Sequence, residues 1–149
     1  MKTFLFIVVT AALLAIAGQT PAHAQLVDPI VADIPFDFTV GDTTLPAGHY
    51  TVKRLKDSNP GVMEILGADD PQPLIFLVQS AQLSDGPEKT ELIFDRIGDR
   101  YFLSRVFEEG DNLGVELPKS RSERSLKKEG AITQVHTVTI FAGSANAKL

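Results

Sequence analysis

Cysteine is absent from all 149 residues, which rules out a disulfide framework, a thiolate nucleophile and a cysteine-bound zinc knuckle. Histidine is scarce. Beyond residue 24 only His49 and His136 occur, each alone in an alternating segment, so the clustered ligand spacing of a zinc site is missing. Glycine loops of the G-x-x-x-x-G-K-[ST] or G-x-G-x-x-G type, which cradle phosphates, are missing too, as is a G-x-S-x-G nucleophile elbow. "FEEGDN" gathers carboxylates without the D-x-[DN]-x-[DN]-G order of a calcium loop and reads as a charged turn. Positive charge is in deficit. The formal net charge is -5 and the isoelectric point is near 5.1, which disfavours nucleic acid and anionic lipid as general partners. We expect no cofactor, no metal and no enzymatic activity; a hydrolase or metal-dependent enzyme ranks third among the functional readings below.

Long apolar runs are lacking except at the start. "MKTFLFIVVTAALLAIAGQTPAHAQ" has basic Lys2, an apolar stretch over 4–17, and small Ala22 and Ala24 at the spacing a signal peptidase accepts. That stretch is about 14 residues, short of the roughly 20 that a membrane-spanning helix needs. Residues 1–24 are therefore expected to be a cleaved signal peptide, with a secreted or periplasmic product starting at Gln25 and no membrane span in the mature chain. The remaining 125 or so residues suit one domain that buries about two thirds of its unfolded surface. We place this β domain at 25–142 and a loose tail at 143–149. No internal repeat or low-complexity tract interrupts it.

What is present is alternation. In "IPFDFTV" the residues Ile34, Phe36, Phe38 and Val40 share one strand face while Asp37 and Thr39 take the other. "LPAG" then predicts a turn that returns the chain as "HYTVKRL", because Pro46 presets φ and Gly48 suits the last turn position. "PLIFLVQS", with five apolar residues in a row, is expected in the middle of the core. "TELIFDRIGDRYFLSRVF" predicts a hairpin closed on Gly98-Asp99, in a register that sets Phe94 opposite Leu103, Arg96 opposite Tyr101 and Leu92 opposite Arg105. Arg96 and Arg105 would then share a face with apolar residues, either at its wet ends or as cations pointing into a pocket. Phe36, Phe38, Tyr50, Phe76, Phe94, Tyr101, Phe102 and Phe107 are either packed core or, in a closed barrel, the lining of an apolar pocket.

"ELPKSRSERSLKKEG" departs from alternation and sets five cations within ten positions. Ser120 and Glu123 have capping-box spacing, so a helix is expected to start there and to stop near Gly130. At 100° per residue Arg121, Arg124, Lys127 and Lys128 fall within an arc of about 120°, with Ser122 and Leu126 behind. This face is a candidate anion-binding patch, set against the simpler reading of a solvated face held by one Leu anchor and a Glu123–Lys127 pair. "ITQVHTVTIF" then resumes alternation.

About eight short strands with turns every ten residues or so, and one short helix before the last strand, define an all-β fold, an antiparallel sandwich or a small barrel. A sandwich would have to blunt its edges with residues such as Lys53, Lys56 or Arg96. The blocks "IPFDFTVGDTTLPAGHYTVKRL", "FDRIGDRYFLSRVF" and "ELPKSRSER" resemble those of a group of small bacterial proteins with signal peptides and no assigned activity. The resemblance implies export, a β fold and a basic block near the end, and it carries no functional residue. The expected function is that of an exported non-enzymatic binding or structural module. The alternative is a barrel that carries a small apolar or amphipathic ligand. The partner is accordingly an acidic surface or a small apolar ligand.

Overall fold

Along residues 30–34 the side chains of Ile30, Ala32 and Ile34 are buried while Val31 and Asp33 are exposed, the signature of a strand with one wet face. The computed structural model describes residues 28–55, 60–128 and 136–144. The described strands are β1 (Ile30–Ile34), β2 (Phe38–Val40), β3 (Thr43–Leu45), β4 (Gly48–Arg54), β5 (Val62–Gly67), β6 (Leu74–Leu77), β7 (Gln79–Gln82), β8 (Glu91–Ile97), β9 (Arg100–Phe107), β10 (Leu113–Glu116), β11 (His136–Phe141) and β12 (Gly143–Ser144). Helix α1 (Arg121–Lys128) precedes β11. The expected signal peptide, Lys56 and the start of "ITQVHTVTIF" lie outside the described residues.

One sheet has the order β12-β1-β4-β5-β6; the other runs β11-β8-β9-β10-β7, with the β2–β3 hairpin attached to β9. The two sheets keep separate edges, so of the two architectures consistent with the sequence the fold is the sandwich. The eight expected runs become twelve strands: two are cut where the chain changes sheets, and β3 and β12 form in the expected turn and tail. "IPFDFTV" is cut at Pro35: Ile34 ends β1 in the first sheet, and Phe38 begins β2 in the second. "PLIFLVQS" is cut at Val78 into β6 and β7, which are edge strands of different sheets. It is not mid-core, since Ile75 and Leu77 are 55% and 67% exposed and only Phe76 and Val78 are buried. Gly143 and Ser144, expected in the loose tail, pair with Val31 and Ile30 and extend the sheet beyond residue 142.

The turn at "LPAG" also differs from expectation. β2 is closed into a hairpin with β3 by Gly41-Asp42, where Gly41 has φ of 60°, a conformation that costs a residue without Cβ little. Pro46 to Gly48 then carries the chain across to the other sheet, where β4 pairs with β1 and β5. The Tyr50 hydroxyl donates to the Pro46 carbonyl at 2.7 Å and pins this crossing, a hydrogen bond four residues back like that of a tyrosine corner.

Between the sheets Phe38, 1% exposed, sets its ring edge-on to Tyr50 of the first sheet (5.1 Å) and to Phe94 of the second (5.5 Å). Phe36 continues the chain of rings, edge-on to Phe94 at 5.3 Å and stacked on Tyr101 at 4.0 Å. Five of the rings that a barrel pocket would have needed as lining are therefore packed on one another.

The β8–β9 hairpin closes on Gly98-Asp99 as expected, and Phe94 faces Leu103 and Arg96 faces Tyr101. The register then slips. Ile93 pairs with Arg105 and Leu92 with Val106, so Ser104 is an extra residue on β9. This bulge lies where one edge of β9 changes partners. Tyr101 and Phe102 pair with β2 in parallel, whereas Arg105 and Val106 pair with β10 antiparallel. Between them the Ser104 carbonyl accepts from the Leu117 N–H at 2.8 Å.

Replacing Tyr50 with Phe should cost about 1 kcal/mol in urea denaturation, the usual worth of one hydrogen bond. Burial, then the charges of Asp37, Asp70 and Asp69, hold the Tyr50 hydroxyl above its ordinary value of 10.0. The associated stability is complete below pH 10.0 and is lost as the pH rises through the folded value, so the alkaline decline should be shallower in Tyr50→Phe.

Candidate functional site

The basic segment is built from its N-terminus. Ser120 caps α1, its hydroxyl accepting from the Glu123 N–H at 3.0 Å. Asp42 reaches over from the β2–β3 turn, its carboxylate accepting from the Arg121 N–H at 3.1 Å, which ties the helix start to the hairpin. The second arm expected of a capping box is diverted. The Glu123 carboxylate, 4% exposed, receives Lys119 and Lys127, both at 3.3 Å. Lys119 also donates to Asp95 of β8 at 2.6 Å and lies 3.4 Å from the Ser104 hydroxyl. The inward anchor of α1 is thus a buried carboxylate in an alternating ion network, whereas Leu126 is only half-buried.

Burial works against the Lys119 ammonium. The hydrogen bond and charge of Asp95, with the charge of Glu123, outweigh it and hold the group above its ordinary value of 10.5. Lys119 therefore stays charged through the neutral range.

The candidate patch divides in two. Lys127 is committed to Glu123, while Arg121, Arg124 and Lys128 are exposed and make no ion pair with another described residue. Arg121 and Arg124 line a cleft of about 310 Å³ together with Lys119. Its other walls are Val40 to Thr43 from the β2–β3 hairpin and Leu74 to Leu77 along β6. Three cations and one carboxylate, Asp42, thus border a slot whose far wall is apolar. Lys128 is not part of the lining.

Arg96 and Arg105 are not brought together. Arg96 lies at the wet end of its face, its guanidinium 5.5 Å from the Tyr101 ring and its Nε donating to the Gly98 carbonyl at 2.9 Å. The bulge at Ser104 turns Arg105 to the opposite face, beside Ile93, and gives its expected place to Val106. Neither residue points into the interior. His49 and His136 are also apart, on β4 and β11, and among the described residues no group of three His, Asp or Glu could hold a metal. The nearest acid to His49 is Asp33, at 3.5 Å across β1 and β4, and both are exposed. The Glu108 to Asp111 segment forms the β9–β10 turn, with the Asp111 N–H donating to the Glu108 carbonyl at 3.2 Å.

Sequence reasoning missed the far wall of the cleft, because it placed Ile75 and Leu77 in the core. Pro71 and Pro73 held a usable signal, since proline just before a strand favours an edge position. No family model, curated protein or solved structure matches the chain.

Replacing Lys119 with Met leaves Asp95 without its cation and Glu123 with one of two. A fully buried pair broken in this way loses about 3–5 kcal/mol; Lys119 is one-third exposed, so a loss of about 2 kcal/mol is expected. Urea denaturation should register it as a lower midpoint with an unchanged slope. The Lys119 contribution is whole below pH 10.5 and is lost as the pH rises through the folded value, so the variant should also lose less stability above that pH than the parent.

Proposed function

We propose that the protein is a non-enzymatic binding module, exported to the periplasm or the cell exterior, and that the cleft between β6 and α1 is its binding surface. One observation carries the reading: the slot sets the β6 wall, Leu74 to Leu77, against Arg121 and Arg124, whose guanidinium groups have no carboxylate partner among the described residues. Such a surface suits a ligand with an apolar body and an anionic group. Guanidinium forks supply orientation, and the apolar wall supplies most of the driving force. The alternative of a carrier with an interior pocket has less support, because Phe36, Phe38, Tyr50, Phe94 and Tyr101 pack on one another. Export is supported by the apolar stretch at 4–17 followed by Ala22 and Ala24.

Anilinonaphthalene sulfonate, which has an apolar body and one anionic group, should bind saturably and shift the amide resonances of Ile75, Leu77, Arg121 and Arg124. Arg121→Gln with Arg124→Gln should weaken it about tenfold, while Arg100→Gln at the start of β9 leaves it unchanged. Shifts spread over other faces, or an undiminished affinity in the double variant, would remove the cleft from consideration. For export, N-terminal sequencing of protein recovered outside the cytoplasm should begin at Gln25; an intact Met1 would refute it.

A further inference from the structure

β6 is the end strand of its sheet and has β5 on one side only. Which of its backbone groups are spent follows from the ladder. The Val78 N–H donates to the Gly61 carbonyl at 2.8 Å, and the register pairs Phe76 with Met63 and Leu74 with Ile65. Inward-bonding residues alternate in an antiparallel pair, so Leu74, Phe76 and Val78 bond toward β5. The other side of β5 agrees: the Leu55 N–H donates to the Val62 carbonyl and the Ala68 N–H to the His49 carbonyl, so even-numbered residues of that strand bond toward β4. The N–H and C=O groups of Ile75 and Leu77 consequently point to the open edge, and no described residue pairs with them.

That open edge forms one wall of the cleft. We infer that the β6 edge is a docking strand for an extended acidic polypeptide, which adds to the sheet by pairing with Ile75 and Leu77. The inference rests on the cleft being the binding surface. The pleat also sets the sequence pattern of the partner. Residues opposite Ile75 and Leu77 share the outer face with those exposed side chains and should be apolar. The residues between them point into the slot, toward Lys119, Arg121 and Arg124, and should be acidic. An apolar-acidic alternation is thus read by backbone, wall and rim together, the β-addition mode of peptide recognition. A second copy of the chain is a poorer occupant. A two-fold interface brings the same patch to itself, and here it would set Arg121 and Arg124 against their own copies.

The test uses a heptapeptide alternating Val and Glu, with its termini blocked. It should bind the mature protein at one site, slow hydrogen exchange at the Ile75 and Leu77 amides, and leave that of Phe76 little changed. Lys in place of Glu in the peptide should weaken binding at least about tenfold. Methylating alternate peptide amides in one phase should have a similar effect, while the opposite phase stays within about twofold. Ile75→Pro removes only an outward N–H and should abolish exchange protection. The methylated peptides make the same test on the unaltered protein if that variant does not fold. Should the sulfonate dye bind the cleft while the peptide fails to bind, or bind equally in both methylated phases, strand addition is overturned and the binding module stands. Failure of dye and peptide alike removes both. A dimer that pairs through β6 and excludes the peptide also overturns the proposal.

Discussion

The wedge made by Phe38 is the contact on which the rest of the sandwich depends. A three-residue strand has too few ladder bonds to be stable alone, yet β2 holds a fixed place because its ring is clasped between Tyr50 of one sheet and Phe94 of the other. The chain enters that wedge from β1 and leaves it toward β4, so residues 34–50 pass from the first sheet to the second and back. Once Phe38 is seated, the β2–β3 turn is fixed as well. That turn carries Asp42, which receives the start of α1. The wedge thereby sets the distance between the helix and the β6 edge, and the cleft is a consequence of core packing on residues that do not line it.

A second division of labour concerns charge. The basic block looked uniform in sequence because helical spacing groups cations by angle and is blind to what lies beneath them. In the fold, Asp95 and Glu123 are buried and claim Lys119 and Lys127. These four groups alternate in sign, which satisfies carboxylates that would otherwise be costly to bury. Arg121 and Arg124 remain on the side facing the slot. Those side chains are dispensable for holding the helix, and for that reason they are free to contact something else.

The legible parts of the fold were those governed by local chemistry. Gly98-Asp99 dictated its hairpin, Ser120 its helix start, and alternation the buried face of β4. Errors arose where tertiary contacts decide. The bulge at Ser104 exists because β9 must change partners from β2 to β10 along one edge, and nothing in "YFLSRVF" records that. In "LPAGHY" the Pro and Gly favour a hairpin turn, whereas the Tyr four residues after Pro is a signal for a corner between sheets. Hydropathy alone places the run "LIFLV" in the core, and the fold does not. Apolar density does not distinguish a strand buried on both faces from an edge strand whose outer face stays uncovered.

That last error bears on function, because an edge strand of this composition is a hazard unless something guards it. The residues expected to guard edges do not lie on edges: Lys53 is on β4, paired with Glu64 at 2.8 Å, and Arg96 is on β8, between β11 and β9. β7, by contrast, is the polar "QSAQ", and β12 is only two residues long. The β6 sequence "LIFL" has no charge of its own, and the cations that line the slot stand across it on α1 and just before it. Placed there, Arg121 and Arg124 oppose the approach of a basic strand or of a second copy, yet they do not block the ladder groups of Ile75 and Leu77. On the proposed docking of an extended chain, a guard of one sign held at a distance would act as a filter, selecting by charge before any backbone bond forms.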